Sequence, residues 1–304
     1  MALDAKSVDK PFRKLRKLLK NFPDPPDPED VHSVRTYTRR IEAMTGAFQL
    51  DRKKVGKDLV MYLTLIRRAA GDVRDMDVLT DFTASLDPNS DGDCRLSLIQ
   101  HLGERRTKAA TKLVKKVKAN EKQVRALLKE CATIAANGID AAESKRAKER
   151  DKQKSRRKSA GSMASSLQIE QELRDWPRLS EDNIHSFRLK VKELRYVLQL
   201  AQHSDSKLIG GLGEVKNQIG LWHDWNELAA IAGQVLDHGK RCPTSLEIRT
   251  RAKRELQKAL DGANRLRQQY LPSEADSATK KRGKKGAVSE IHPDVIQATA
   301  RLAS

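Results

Sequence analysis

Between residues 31 and 41 the chain reads VHSVRTYTRRI, and between 184 and 194 it reads IHSFRLKVKEL. An α-helix brings residues three, four and seven apart onto one face. On such a helix His32, Arg35 and Arg39 project together, and so do His185, Arg188, Lys192 and Arg195. Cations gathered in this way suit the binding of anions. Arginine offers a planar fork that matches two oxygens of a phosphate, and lysine offers a mobile point charge. Acidic partners are scarce, since only Glu42 and Glu193 lie inside the two stripes. An apolar set runs beside each stripe. Both basic faces are therefore expected to flank a core and not point to open water. If the two halves of the chain pair symmetrically, the faces meet across a shared groove.

The two stretches register with a constant shift. His185 follows His32 by 153 residues, and the same shift brings Asp27 to Ser180, Ser33 to Ser186, Arg35 to Arg188, Arg39 to Lys192 and Ile41 to Leu194. A second match has a shift of 149. It sets LTLIRRAAGDVRDMDVL against LGEVKNQIGLWHDWNEL, so Arg67 meets Lys216, Gly71 meets Gly220, Arg74 meets His223, Asp75 meets Asp224 and Asp77 meets Asn226. Each half thus carries a basic helix and then a helix ending in G-x-x-[RH]-D-x-[DN]. Self-similarity at a fixed period is an architectural signal. It predicts an all-α fold of two helical bundles related by a pseudo-two-fold axis. Asp75, Asp77, Asp224 and Asn226 are expected to hold arginines or cap backbone groups.

The elements that must position these residues are nearly all helical by periodicity. Phe12, Leu15, Leu18, Leu19 and Phe22 form one face of a first basic helix. That face also fits a membrane-surface helix, but docking on the bundle is the expectation. After PDPPDPED, Asp27 reads as an N-cap with Pro28 at N1 and Glu29 and Asp30 in the first turn. Val31, Val34, Tyr37, Ile41, Met44 and Phe48 follow as the apolar stripe. A third helix is expected over 52–85, two more over 94–120 and 120–150, and later ones near 205–238 and 244–270. Ser180 reads as the N-cap of the helix with Ile184, Phe187, Val191, Leu194 and Leu198. Residues 145–158 hold nine basic and two acidic residues, a helix end running into a linker. One domain over 1–272 is predicted, with halves of about 10–145 and 178–270 and a basic linker at 146–170. Residues 273–304 form a low-complexity basic tail, expected to be disordered, with a short helix near 294–302.

Composition narrows the partner. Lys and Arg outnumber Asp and Glu by 60 to 41, a formal charge of +19, which favours a polyanion. Aromatics are only 4%, whereas readers of single-stranded nucleic acid add aromatic stacking platforms. The basic linker and tail still predict weak nucleic-acid binding. Three dispersed cysteines, Cys94, Cys131 and Cys242, argue against a disulfide framework and a zinc knuckle and fit a reducing cytoplasm. No run approaches a membrane span, and no P-loop is present. His32 and His185 lack ligand partners at metal spacing. No metal, cofactor or catalytic residue is expected. A phosphoester-processing enzyme would have to use Asp75, Asp77 and Asp224.

The stretches VHSVRTYTRRIEAM, RDMDVL, IHSFRLKVKELRYVL and GLWHDWNEL, in this order, resemble the four signature stretches of the CHAD domain, the conserved histidine α-helical domain. The resemblance covers roughly residues 10–270. It implies two pseudo-symmetric helical bundles around a basic cavity, binding of inorganic polyphosphate, and association with polyphosphate granules. Carried onto this chain, the ligand-facing set is His32, Arg35, Arg39 and Arg40 with His185, Arg188, Lys192 and Arg195, extended by Arg67, Arg74, Lys216 and His223. Two departures stand out: Glu193 replaces the counterpart of Arg40, and the second aspartate motif reads HDWN in place of RDMD. They predict unequal affinity in the two halves. Some members of the family are fused to a triphosphate-processing CYTH domain, whose alternating E-x-E-x-K motif is not found here.

Overall fold

A computed structural model of the chain describes residues 5–87, 92–149, 167–200, 206–237 and 242–271, and among them every regular element is helical. The elements are α1 (Ala5–Lys20), α2 (Pro28–Ala47), a 3₁₀ turn (Leu50–Arg52), α3 (Lys54–Ala84), α4 (Gly92–Glu149), α5 (167–174), α6 (Ile184–Leu200), α7 (Ser206–Val235) and α8 (Pro243–Tyr270). No described helix is long and apolar enough to cross a membrane. The chain forms two compact units. One comprises Met1–Ser155 with Leu221–Arg254, and the other Arg156–Gly220 with Glu255–Ser304. These units do not coincide with the two sequence halves, because Leu221–Arg254 belongs with the first.

In the first unit α1 packs on α2 and α4, and α3 packs on α2 and α4. The basic first helix docks on this core: Phe12, Leu15 and Leu19 are buried in it, and Leu18 and Phe22 pack at its edge. Each such side chain contributes about 1.5–3 kcal/mol when fully buried. The start of α2 is a capping box. The Asp30 amide donates to Asp27 Oδ1 at 2.7 Å, and the Asp27 amide donates back to Asp30 Oδ2 at 3.3 Å. Val31, Val34 and Ile41 are buried, while Tyr37, Met44 and Phe48 are partly buried. A second cluster joins Met76 and Leu79 of α3 to Leu98 and Leu102 of α4, Trp225 and Leu228 of α7 and Ile248 of α8. Phe82 stacks on Trp225 with ring centroids 4.5 Å apart.

Two sequence expectations change here. Where two helices are expected over 94–120 and 120–150, the described residues hold one: α4 runs unbroken for 58 residues, from Gly92 to Glu149. No proline interrupts it, and Asn120, the expected break, stays helical with its Nδ2 donating to the Lys116 carbonyl at 2.8 Å. An interior Asn costs only about 0.7 kcal/mol against Ala. Ser180 does not directly precede α6, which starts at Ile184 after a turn over 181–183. The Ser180 amide donates to Asn183 Oδ1 at 3.0 Å, and its carbonyl accepts from the Asn183 and Ile184 amides. This is half of the capping box seen at Asp27 and Asp30.

The second unit buries Ile184, Phe187, Val191, Leu194 and Leu198 of α6, as the periodicity predicts, with Leu212, Val215 and Ile219 of α7. Helix α5, with Ile169 and Leu173 buried, had no sequence prediction. Trp176 meets Phe187 edge-on at 5.6 Å, and Arg267 Nη2 donates to the Arg174 and Trp176 carbonyls at 2.9 and 2.6 Å. Cys94, Cys131 and Cys242 are buried free thiols, and burial pushes the Cys131 thiol up to about 11. Residues 150–166 of the expected linker, the tail 273–304 and the expected helix near 294–302 lie outside the described residues. Residues 146–149 continue α4, and 167–170 belong to α5.

Gly56 is the tightest point of the first unit. A Cβ there would stand 2.0 Å from the Leu50 carbonyl oxygen, a backbone atom that cannot swing away. Gly56→Ala should therefore lower stability by about 1–3 kcal/mol, although Ala is the better helix former. Urea denaturation checks this, and an unchanged or higher midpoint would show that the 3₁₀ turn yields freely.

Candidate anion-binding site

Helix α2 presents His32, Arg35 and Arg39 on successive turns, and α3 presents Arg67, Gly71, Arg74 and Asp75. The Arg35 guanidinium lies against Gly71, where a Cβ would stand 2.8 Å from Nη1. Burial pulls the Arg35 guanidinium below its usual pKa. The charges of Arg39, Arg74 and Arg67 add to the effect, and the Asp75 carboxylate opposes it. The group stays charged at any ordinary pH, so Arg35 is a half-buried cation among cations. Arg67 has a partner of its own: its Nε lies 2.8 Å from Glu42 Oε2, and Thr64 donates to Glu42 Oε1 at 3.0 Å. His32 is exposed, with its Nε2 3.4 Å from the Thr36 hydroxyl. Arg39 and Arg40 are also exposed. Among the described residues no hydrogen bond or ion pair engages Arg39, Arg40 or Arg74.

The expectation that every member of the set turns from open water is thus corrected. His32, Arg39, Arg40 and His185 are exposed, whereas Arg35, Arg74, Arg188, Lys192, Arg195, Lys216 and His223 are half-buried. Arg40 also stands apart by geometry. One residue past Arg39, it is rotated about 100° round the helix, toward the flank that carries Ser33 and Tyr37.

The second unit repeats the central contact. Arg188 of α6 lies against Gly220 of α7, where a Cβ would stand 2.9 Å from Nη2. Its Nε donates to the Lys216 carbonyl at 3.2 Å. That carbonyl serves the helix ladder with one lone pair, and the bare Gly220 lets the guanidinium reach the other. Two helical turns away on each helix, Arg195 lies over Gly213 at 3.4 Å from a would-be Cβ; its Nε is buried without a partner among the described residues. Glu193 is engaged elsewhere, since Lys190 bridges it at 3.3 Å and Glu172 at 2.7 Å.

The acidic residues divide by role. Asp77 holds Arg106 of α4, Nε to Oδ1 at 2.5 Å, and Arg106 Nη2 donates to the Pro26 carbonyl at 3.2 Å. Asp77 therefore ties α3 to α4 and to the turn before α2. Arg106 is absent from the sequence reading, because nothing local marks a partner 29 residues away. Asp75 keeps access to solvent, yet the protein packed around it raises its carboxyl pKa. Arg35 opposes that shift, and Glu227 and Asp224 of α7 reinforce it. Asp224 stands 3.5 Å from His223 Nδ1, and Asn226 is exposed. No group of three or more His, Cys, Asp or Glu among the described residues is arranged to hold a metal ion.

Chemically, each unit offers a guanidinium fixed against a helix, with further cations beside it. Such an arrangement takes anionic oxygens. No curated protein and no solved structure matches the chain. The family model described as CHAD domain spans residues 10–233, from α1 through the HDWN motif of α7. That is well over half of the 304 residues, and the protein belongs to the CHAD domain family.

Proposed function

We propose that the protein binds inorganic polyphosphate and does not catalyse its turnover. The binding set is Arg35, Arg39, Arg40, Arg67, Arg74 and His32 with Arg188, Lys192, Arg195, Lys216, His185 and His223. The two groups belong to an internal repeat, and each forms a basic binding surface. The reading needs no metal and no cofactor, and it places the protein at polyphosphate granules in the cytoplasm.

The observation that carries the reading is the arginine laid on glycine, once as Arg35 on Gly71 and once as Arg188 on Gly220. Both members of each pair correspond in the two matched sequence segments. The capping contacts at Asp27 and Ser180 and the burial of Met76 and Leu79 with Trp225 and Leu228 in one cluster also support a repeat. Polyphosphate presents phosphoryl oxygens and nothing else, so its recognition needs closely set cations with fixed donors. Membership of the CHAD family is consistent with a polyphosphate-related function. Against catalysis stands the engagement of Asp77 by Arg106.

Arg35→Ala and Arg188→Ala should each remove about 1.5–3 kcal/mol of binding, a roughly 10- to 100-fold loss. Deleting residues 273–304 should change affinity far less. Titration of all three variants with polyphosphate of defined length decides the matter, and equal losses would move the site to the tail. The glycines give a test in which stability and binding part ways. Gly71→Ala and Gly220→Ala should melt no lower than the parent, because Ala is favoured over Gly in a helix by about 1 kcal/mol and the obstructed atom ends a flexible side chain. Their polyphosphate affinity should nonetheless fall, since the guanidinium must leave its seat. Unchanged affinity in both would show that the seat is irrelevant to binding.

A further inference from the structure

Helix α2 has a second flank, facing α1, toward which only Arg40 of the Arg35 set is turned and whose cleft Arg40 does not line. There a cleft of about 260 Å³ is lined by Lys14, Lys17, Leu18 and Asn21 of α1 and its end, and by Ser33 and Tyr37 of α2. Its lining offers two ammonium groups, a side-chain amide and two hydroxyls, and no carboxylate. The Ser33 hydroxyl donates to Glu29 at 3.4 Å, a long bond that a better acceptor would displace. Among the described residues neither Lys14 nor Lys17 makes an ion pair.

The matching flank in the second unit is built differently. Ser186 and Lys190 of α6 stand where α2 has Ser33 and Tyr37, and the cation there is neutralised by Glu172 at 2.7 Å and Glu193 at 3.3 Å. In the first unit the adjoining helix supplies lysines in place of a glutamate. The charge on this flank is therefore left for a ligand.

We propose that the α1–α2 cleft is a second anion site, separate from the Arg35 set, that takes a small phosphorylated anion of about the size of pyrophosphate. The two lysines match a multiply charged phosphoryl group, and Asn21, Ser33 and Tyr37 can donate to its remaining oxygens. The cleft is smaller than the roughly 300–1,000 Å³ of sites for drug-sized ligands, which suits a short anion. The phosphoryl group comes either from a free small phosphate or from the end of a polyphosphate chain.

Calorimetric titration of the full chain with inorganic pyrophosphate, at near-physiological salt, tests the site. The double variant Lys14→Gln/Lys17→Gln should bind pyrophosphate at least tenfold more weakly with an unchanged melting temperature, since both residues are exposed. Arg35→Ala should retain this binding. So should Lys57→Gln/Lys108→Gln, which removes the same charge from exposed positions on α3 and α4. Three results would overturn the proposal: no pyrophosphate binding by the parent, an equal loss in the Lys57/Lys108 variant, or a complete loss in Arg35→Ala. Long-chain polyphosphate at matched concentration of chain ends identifies the source. A loss in the Lys14/Lys17 variant there upholds the site for chain ends, and retention upholds it for the free anion.

Discussion

A guanidinium can lie flat against a helix backbone only where the helix presents no side chain beneath it. Gly71 and Gly220 meet that condition, and each receives an arginine from the preceding basic helix. A mid-helix glycine costs stability, and the chain carries it at both places. The return is positional. Arg35 and Arg188 are held before any ligand arrives, so an anion need not order them on binding. Burial lowers the Arg35 pKa, and the same packing draws Arg39, Arg74 and Arg67 close enough to add to that effect. Like charges gathered this way are strained until a negative charge arrives between them.

The two units do not carry equal charge. In the first, Glu42 engages Arg67 and Thr64. At the position corresponding to Glu42, the second unit has Arg195, lying over Gly213. The corresponding position thus carries a carboxylate beside one arginine set and an arginine beside the other. The outer flanks are reversed, with Lys190 neutralised in the second unit and Lys14 and Lys17 unpaired among the described residues of the first. An anion thus meets different environments at positions that correspond in sequence.

Local signals were legible in the sequence. Periodicity found the buried faces of α1, α2 and α6, and Asp27 followed by Pro28 marked the start of α2. The matched segments singled out Gly71 and Gly220, though not the reason for them, since a glycine in a helix does not announce what lies on it. What stayed hidden was set at long range or by weak propensity. The expected boundary at residue 120 falls on Asn120, whose cost in a helix is too small to stop α4. Helix α5 is short and mostly polar, with little stripe to read. Arg106 joins Asp77 across two helices, and Glu42 turns from a stripe member into the partner of Arg67 only when α2 packs on α3. Exposure was also misjudged, because His32 and Arg39 lie far enough round α2 from its core face to reach water.

The most direct measurement is a competition titration. Labelled polyphosphate of defined length is bound at near-physiological salt and challenged with single-stranded RNA and duplex DNA at equal phosphate concentration. The proposed reading, with arginines seated on glycine and few aromatics to stack bases, predicts that neither nucleic acid displaces the label. Displacement by RNA or DNA as effective as by unlabelled polyphosphate would contradict the account and make the basic helices a surface for polyanions in general.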